Sequence, residues 1–298
     1  MAETPQMGWN SWNTFKDNFD QQTIEETADL LVSTGLRDAG YTVLTLDAGW
    51  QASERSVDGR QQAYLTKLPG GIKGIADYIH DRGLQFGIYS DAGIHDCGFS
   101  PGSWGYEELD AATYAEWTVD YLNVLTIIRK MREIAAFQKP GSWADMDMLE
   151  IGNGNMTLYE QQTHMSFWAA LKSPLIIGAD LRALSNESLD VLKNPDILAI
   201  SQDSLGRAVE YLEASSREKE IQVWAGPLSS ERTVILAFNE GNLATSVTIP
   251  LDQIPGLIGD EATFNVRDVW ANRNTTAVYD TIRVDLETHQ TKVLILQA

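Results

Sequence analysis

Short apolar strands alternating with amphipathic helices constrain this chain more than any other feature. Tyr41-Thr42-Val43-Leu44-Thr45-Leu46 runs into Asp47, and Leu84-Gln85-Phe86-Gly87-Ile88-Tyr89 runs into Ser90 and Asp91. Runs this short, rich in β-branched and aromatic residues and apolar on both faces, are the mark of parallel strands covered on each side. Between them, Ile24 to Leu36 and Gly71 to Gly83 place apolar residues at helical spacing, with Gly35 and Gly83 suited to helix ends. The rhythm continues with Glu107 to Thr118 as helix, Val119 to Leu122 as strand, Val124 to Ala136 as helix and Met146 to Ile151 as strand. Tyr159 to Lys172 follows as helix and Pro174 to Gly178 as strand, with helices again at Ser188 to Leu192 and Pro195 to Ile200. With Met7 to Trp12 as the first strand, the pattern predicts an α/β fold, a (β/α) TIM-type barrel over residues 1–206.

From about Arg207 the texture changes. Ile221 to Ala225, Thr233 to Phe238, Ser246 to Ile249, Thr263 to Trp270, Thr281 to Leu286 and Lys292 to Leu296 are short runs separated by turn residues. Several alternate in polarity and no helical pattern interrupts them. Residues 207–298 are therefore expected to form an antiparallel β-sandwich.

Charge narrows the partners. Lys+Arg of 22 against Asp+Glu of 42 leaves a formal charge of −20, which repels phosphate backbones and anionic membrane surfaces. No nucleic-acid or membrane partner is expected. No apolar run opens the chain or approaches the ~18 residues that would suggest a membrane span, so no signal peptide is expected in it. Cys97 is the single cysteine, which rules out an intrachain disulfide. Asn155, Asn186 and Asn274 each begin an Asn-x-Ser/Thr sequon. His80, His95, His164 and His289 show no ligand spacing with cysteine or one another, so no metal site is expected. Packing is the default reading for His80, His164 and His289; His95, after the third strand, could reach the mouth of a barrel.

In such barrels the reactive groups sit at the carboxyl ends of the strands, which places Trp12, Asp47, Tyr89, Asp91, Asp145 and Asp147 around one mouth. Aromatic rings stack on the apolar face of a pyranose, and carboxylates accept bonds from its hydroxyls. That mixture suits a sugar.

A resemblance becomes specific at the same residues. Met7-Gly8-Trp9-Asn10-Ser11-Trp12, Leu46-Asp47-Ala48-Gly49-Trp50, Phe86-Gly87-Ile88-Tyr89-Ser90-Asp91-Ala92-Gly93, Pro101-Gly102-Ser103-Trp104-Gly105-Tyr106-Glu107, Trp143-Ala144-Asp145-Met146-Asp147-Met148-Leu149 and Ser173-Pro174-Leu175 follow one another in order. This series resembles the retaining α-galactosidases of glycoside hydrolase family 27, the fungal ones above all, over nearly the whole chain. The resemblance implies removal of terminal α-linked galactose by two carboxylates about 5 to 5.5 Å apart, one attacking the anomeric carbon and one serving as acid and then base. No cofactor is implied, because that chemistry needs only water. It also implies an extracellular enzyme and an α-galactoside ligand. By position, Trp12, Asp47, Tyr89, Cys97, Asp147 and Met148 match residues that line the family's galactose pocket, with Asp91 and Asp145 behind them.

The catalytic pair itself is not in the sequence. The family nucleophile lies after the fourth strand in a Lys-Tyr-Asp-Asn-Cys type run, and the acid/base in a Trp-Arg-x-x-x-Asp type run near the sixth. Here Val119-Asp120-Tyr121-Leu122-Asn123 passes straight into Val124 to Ala136, and Lys139-Pro140-Gly141-Ser142-Trp143 already resembles the approach to the seventh strand. A full barrel takes ~250 residues, or about 31 per unit, whereas only roughly 200 precede the tail. About six of eight units are therefore expected, and the family partner of Cys97 falls in the absent part. Asp17 and Gly49 occupy both positions of the family's other early cysteine pair, and Ala48 and Ala144 replace polar residues of the mouth.

Two readings follow. One is a dead derivative that at most binds galactosides weakly; the other is residual hydrolysis through an improvised pair, Asp47 with Asp145 or Asp147. An incomplete barrel would leave parallel strand edges unpaired and invite self-association.

Overall fold

The computed structural model describes residues 3–96, 98–123, 138–217, 220–254, 257, 263–278 and 280–297. Contacts divide the chain into two compact units, one of Met7–Thr126 and Ile176–Leu184, the other of Met1–Gln6, Ile127–Leu175 and Ser185–Ala298.

In the first unit, β1 (Met7–Asn10), β2 (Val43–Leu46), β3 (Gln85–Tyr89), β4 (Tyr121–Asn123) and β5 (Leu175–Ile177) form one sheet in the order β4-β3-β2-β1-β5. The β1–β2, β2–β3 and β3–β4 pairs are parallel. Every residue of β1 and β2 is buried, as strands covered on both faces must be. Gly8 opposite Val43 permits the approach, since a Cβ there would stand 2.3 Å from the Val43 carbonyl oxygen. After β1 comes the single turn α1 (Trp12–Phe15). The longer helices α2 (Gln21–Ser33) and α3 (Gly71–His80) then bury Ile24, Ala28 and Leu31, and Ile72, Ile75, Ala76 and Ile79. Asp20 caps α2 by accepting from Thr23 N at 2.8 Å. The fourth helix is α4 (Glu107–Glu116).

Behind the loop that joins β3 to α4 lies a buried polar cluster. Arg55 makes a forked ion pair with Asp110, at 2.6 and 2.7 Å, and its two terminal nitrogens also donate to Gly59 O and Gly102 O. Asp110 and Arg55 side chains are only 2% and 11% exposed. Gln61 donates to Pro101 O at 2.9 Å and accepts from the Tyr114 hydroxyl at 2.8 Å. The loop is thus fastened to α4 by side chains whose own hydrogen bonds are largely met.

Three expectations change here. β1 stops at Asn10, and Trp12 opens α1 instead of ending the strand. The fourth strand begins at Tyr121, because Thr118 takes φ +59° and Asp120 is spent on pinning: its carboxylate accepts from Phe86 N at 2.7 Å and pairs with His80 at 2.7 Å. Met146 to Ile151 forms no strand, only a single bridge at Leu149. Its amides are taken by side chains: Ser173 Oγ receives Met146 N, Asp145 Oδ1 receives Asp147 N, and Asp147 Oδ1 receives Met148 N. A ladder needs those donors free. Five strands therefore stand in this sheet among the described residues where six were expected. The helix read over Val124 to Ala136 lies outside the described residues.

The second unit carries α5 (Leu158–Ala170), α6 (Asn186–Leu192) and α7 (Pro195–Ser201). A full capping box of Thr157 and Glu160 starts α5. Then come β6 (Glu210–Tyr211), β7 (Ile221–Leu228), β8 (Arg232–Asn239), β9 (Thr245–Pro250), β10 (Phe264–Asp268), β11 (Arg273–Val278), β12 (Thr281–Leu286) and β13 (Thr291–Gln297). They build a six-stranded sheet, β11-β10-β13-β8-β7-β6, and a two-stranded one, β12-β9. The pairs β10–β11, β10–β13, β9–β12, β8–β13, β6–β7 and β7–β8 are antiparallel. Val223, Ala225, Ile235 and Leu294 from the larger sheet share one core with Val247, Ile249, Ile282 and Val284 from the smaller, the arrangement of a sandwich. All six runs read from the sequence appear as strands. The two additional strands, Glu210–Tyr211 and Arg273–Val278, lack the apolar alternation that would have marked them.

Replacing Asp110 by Ala strands a buried guanidinium, and the unfolding free energy in urea is expected to fall by about 3 to 5 kcal/mol. Arg60→Ala, which removes an exposed pair with Glu116, is expected to leave the urea midpoint close to that of the wild type.

Candidate functional site

The β2–β3 register sets Leu46 beside Ile88, so Asp47 and Tyr89 follow side by side at the carboxyl edge of the sheet. Asp47 is 2% exposed, and its carboxyl group meets two donors. Asn10 Nδ2 reaches its Oδ2 at 2.8 Å, its own neighbour Ala48 N reaches Oδ1 at 2.8 Å, and Ser11 Oγ receives Asp47 N at 3.0 Å. Asn10 Oδ1 also accepts from Trp12 N at 2.8 Å. One amide side chain therefore orients both the carboxylate and the start of the turn bearing Trp12, whose ring lies 5.1 Å from Lys16 Nζ. Neither Asn10 nor Ser11 stood among the candidate residues, although both belong to the first motif.

On β3, the Tyr89 carbonyl accepts from Trp50 Nε1 at 2.9 Å and the Tyr89 hydroxyl lies 3.4 Å from Asp91 Oδ2. Asp91 Oδ1 receives Gly93 N at 2.6 Å, so Asp91 shapes the loop and supports Tyr89. The loop then doubles back: Gly102 N donates to Ile94 O, Ser103 N to Asp91 O and Trp104 N to Gly93 O. A Cβ at Gly102 would come within 2.2 Å of Gly93 O, which reserves that place for glycine. His95 is exposed and bridges to Pro101. Cys97 lies outside the described residues.

Asp17 and Gly49 prove to be in contact, as the resemblance implied. Gly49 takes φ +98°, and a Cβ on it would lie 2.7 Å from Asp17 Cβ. Lys67 Nζ ties the two segments, donating to Asp17 O and, at 3.5 Å, to Gly49 O.

The remaining candidates belong to the other unit. Asp147 is exposed and takes φ +72°, a conformation costly for any residue with a Cβ. Five contacts over-determine the segment around it. Beyond the three side-chain acceptors already described, Trp168 Nε1 donates to Asp147 O at 2.7 Å and Glu150 N donates to His164 Nε2 at 3.4 Å. Met148 is buried beneath it. Burial raises the Asp145 pKa, with the Asp147 amide pulling the other way and the Asp147 charge adding to the rise. Ala144 N is held by Gln138 Oε1 at 3.0 Å. Among the described residues no group of His, Cys, Asp and Glu has the arrangement of a metal site.

A parallel β/α sheet with acids and aromatics at its carboxyl edge, followed by an antiparallel sandwich, is the architecture of a class of TIM-barrel glycosidases. Comparison makes the class specific. The profile of "Alpha galactosidase A" matches residues 4–129 and 123–203, and that of the "Alpha galactosidase C-terminal beta sandwich domain" matches residues 218–296. The chain belongs to the α-galactosidase family, glycoside hydrolase family 27. Alpha-galactosidase 3 of Arabidopsis thaliana is 36% identical over 342 residues, covering 93% of this chain and 77% of that one. Alpha-galactosidase I of Mortierella vinacea superposes with TM-score 0.94 at 28% identity, over 100% of this chain and 98% of that one. An α-galactosidase from Saccharomyces cerevisiae with raffinose shares the fold at TM-score 0.87 and 23% identity, over 99% and 98%. The chain is a short version of the family's full length: 93% of 298 residues is about 277, leaving about 65 of the 342 aligned positions unmatched.

Asn10→Leu removes a donor from the buried Asp47 carboxylate, and a loss of about 1.5 to 3 kcal/mol in unfolding free energy is expected by urea titration.

Proposed function

We propose that this chain keeps the α-galactoside-binding mouth of its family but lacks the carboxylate pair that cleaves the glycosidic bond. The observation that carries the reading is where the family profile breaks. Its two matches meet and overlap at residues 123–129, at the point where the sequence passes the fourth strand with no acid following it. Trp12, Asp47, Tyr89, Cys97, Asp147 and Met148 are the proposed sugar contacts, with Asp91 and Asp145 supporting them. Residues 1–206 form the barrel-type domain of this proposal and 207–298 the sandwich. The protein acts outside the cell, its ligand an α-galactoside of the raffinose kind bound to the Saccharomyces relative. Ala48 and Ala144 each take a polar group from the mouth, which weakens binding.

Release of nitrophenol from nitrophenyl α-galactoside tests the reading. No turnover above a control without protein is expected, because loss of a cooperating catalytic unit lowers rates by roughly six orders of magnitude. Turnover that Asp147→Ala abolishes would overturn it and favour an improvised pair. The open strand order β4-β3-β2-β1-β5 among the described residues supports a second expectation, self-association through parallel edges. Light scattering should then give a mass that rises with concentration; a constant monomer mass of 33.1 kDa would count against it.

A further inference from the structure

Two residues one turn apart on α5, His164 and Trp168, do more than fill space. Their rings stack at 3.8 Å and 18°, and both reach the same short segment. Trp168 Nε1 holds the Asp147 carbonyl, while the imidazole accepts from Glu150 N at 3.4 Å. The segment they hold contains the left-handed Asp147. A residue at that φ stays only while its surroundings over-determine it. The indole bond does not depend on pH, whereas the imidazole bond does, because a protonated Nε2 can no longer accept from Glu150 N.

We propose that His164 and Trp168 form an acid-released clasp on the Asp147–Glu150 turn, so that the galactoside site is set at neutral pH and loosened in acid. The part concerning the galactoside rests on the function proposed above. His164 and Trp168 are positioning residues: they act through Asp147 and Met148 and need not touch the sugar.

The charged groups around the ring leave the imidazole to its own equilibrium. On α5, Glu160 is occupied with Thr157 and with His289 at 2.9 Å, and on the turn Glu150 receives Asn153 Nδ2. Of the elements packed on α5, α7 carries Asp196 paired with Arg267, β8 carries Arg232 paired with Asp203, and β13 carries Lys292 paired with Asp268. α6 adds Glu187 and Asp190, and the turn adds Asp145 and Asp147; among the described residues none of these four carboxylates bonds the imidazole. Burial pushes the His164 pKa down to about 4 from 6.5, with the Met148 backbone opposing. A lowered histidine pKa means that the opened segment binds the proton first. The clasp therefore keeps its full strength above pH 6.5 and loses it as pH falls from 6.5 towards 4.

Hydrogen exchange of the Met148 and Glu150 amides, corrected for intrinsic chemical exchange, measures the clasp without any sugar. With those two pKa values, protection is expected to drop about twentyfold between pH 7 and pH 5. His164→Gln keeps an acceptor and removes the titration, so its protection should stay level over that range, and an equal drop in this variant would overturn the proposal. Trp168→Phe should lower protection by the same factor at every pH; no change would remove Trp168 from the clasp. Should His164→Gln fail to fold, proton NMR of the four histidines decides, since a His164 that titrates near 6.5 in the native protein is incompatible with the clasp. Calorimetric titration with galactose at pH 7 and pH 5 reads the coupling. Weakening of about tenfold or more in wild type and not in His164→Gln supports it, and affinity that holds while protection falls overturns it. Absence of binding at pH 7 sinks the galactoside reading alone, because the exchange data still judge the clasp.

Discussion

Strands covered on both faces carry mostly apolar side chains along their length, so polar chemistry collects towards the strand ends. β1 and β2 are buried throughout, and at their carboxyl ends Asn10, Ser11 and Asp47 bond one another. Everything in the candidate site of this unit follows from that rule. Asp47 is a buried carboxyl group, tolerable because Asn10 and the Ala48 amide each donate to it. Arg55 and Asp110 solve the same problem one layer out, where a loop must be held against a helix without an apolar surface to hold it.

The sequence showed the fold wherever period and polarity agreed. The strands at Val43–Leu46 and Gln85–Tyr89 and all six apolar runs of the tail were readable because side-chain burial alone determines them. The misreadings occur where side chains compete with the backbone for hydrogen bonds. Met146 to Ile151 has the composition of a strand, yet Asp145, Asp147 and Ser173 take its amides, and no count of apolar residues registers that competition. The strands Glu210–Tyr211 and Arg273–Val278 are paired by their neighbours and carry no pattern of their own.

The candidate site divides in the same way. Acids at strand ends announce themselves by position, so Asp47 and Asp91 could be named early. Their supports could not, because Asn10, Gln61, Arg55 and Asp110 meet through long-range contacts that only the folded chain defines. His164 shows this most plainly. As a lone histidine on a helix its default reading is packing, and the stacking on Trp168 is visible in the sequence only as a spacing of four.

The corner formed by Asp17, Gly49 and Lys67 has a consequence for how this protein tolerates its surroundings. Where a pair of cysteines could stand, a glycine without a side chain lets two backbones touch, and one ammonium group bridges their carbonyls. A bond of that kind is indifferent to thiols and oxidants but answers to anything that neutralises or bulks an amine. Acylating reagents, not reductants, are the chemical handle on this part of the molecule.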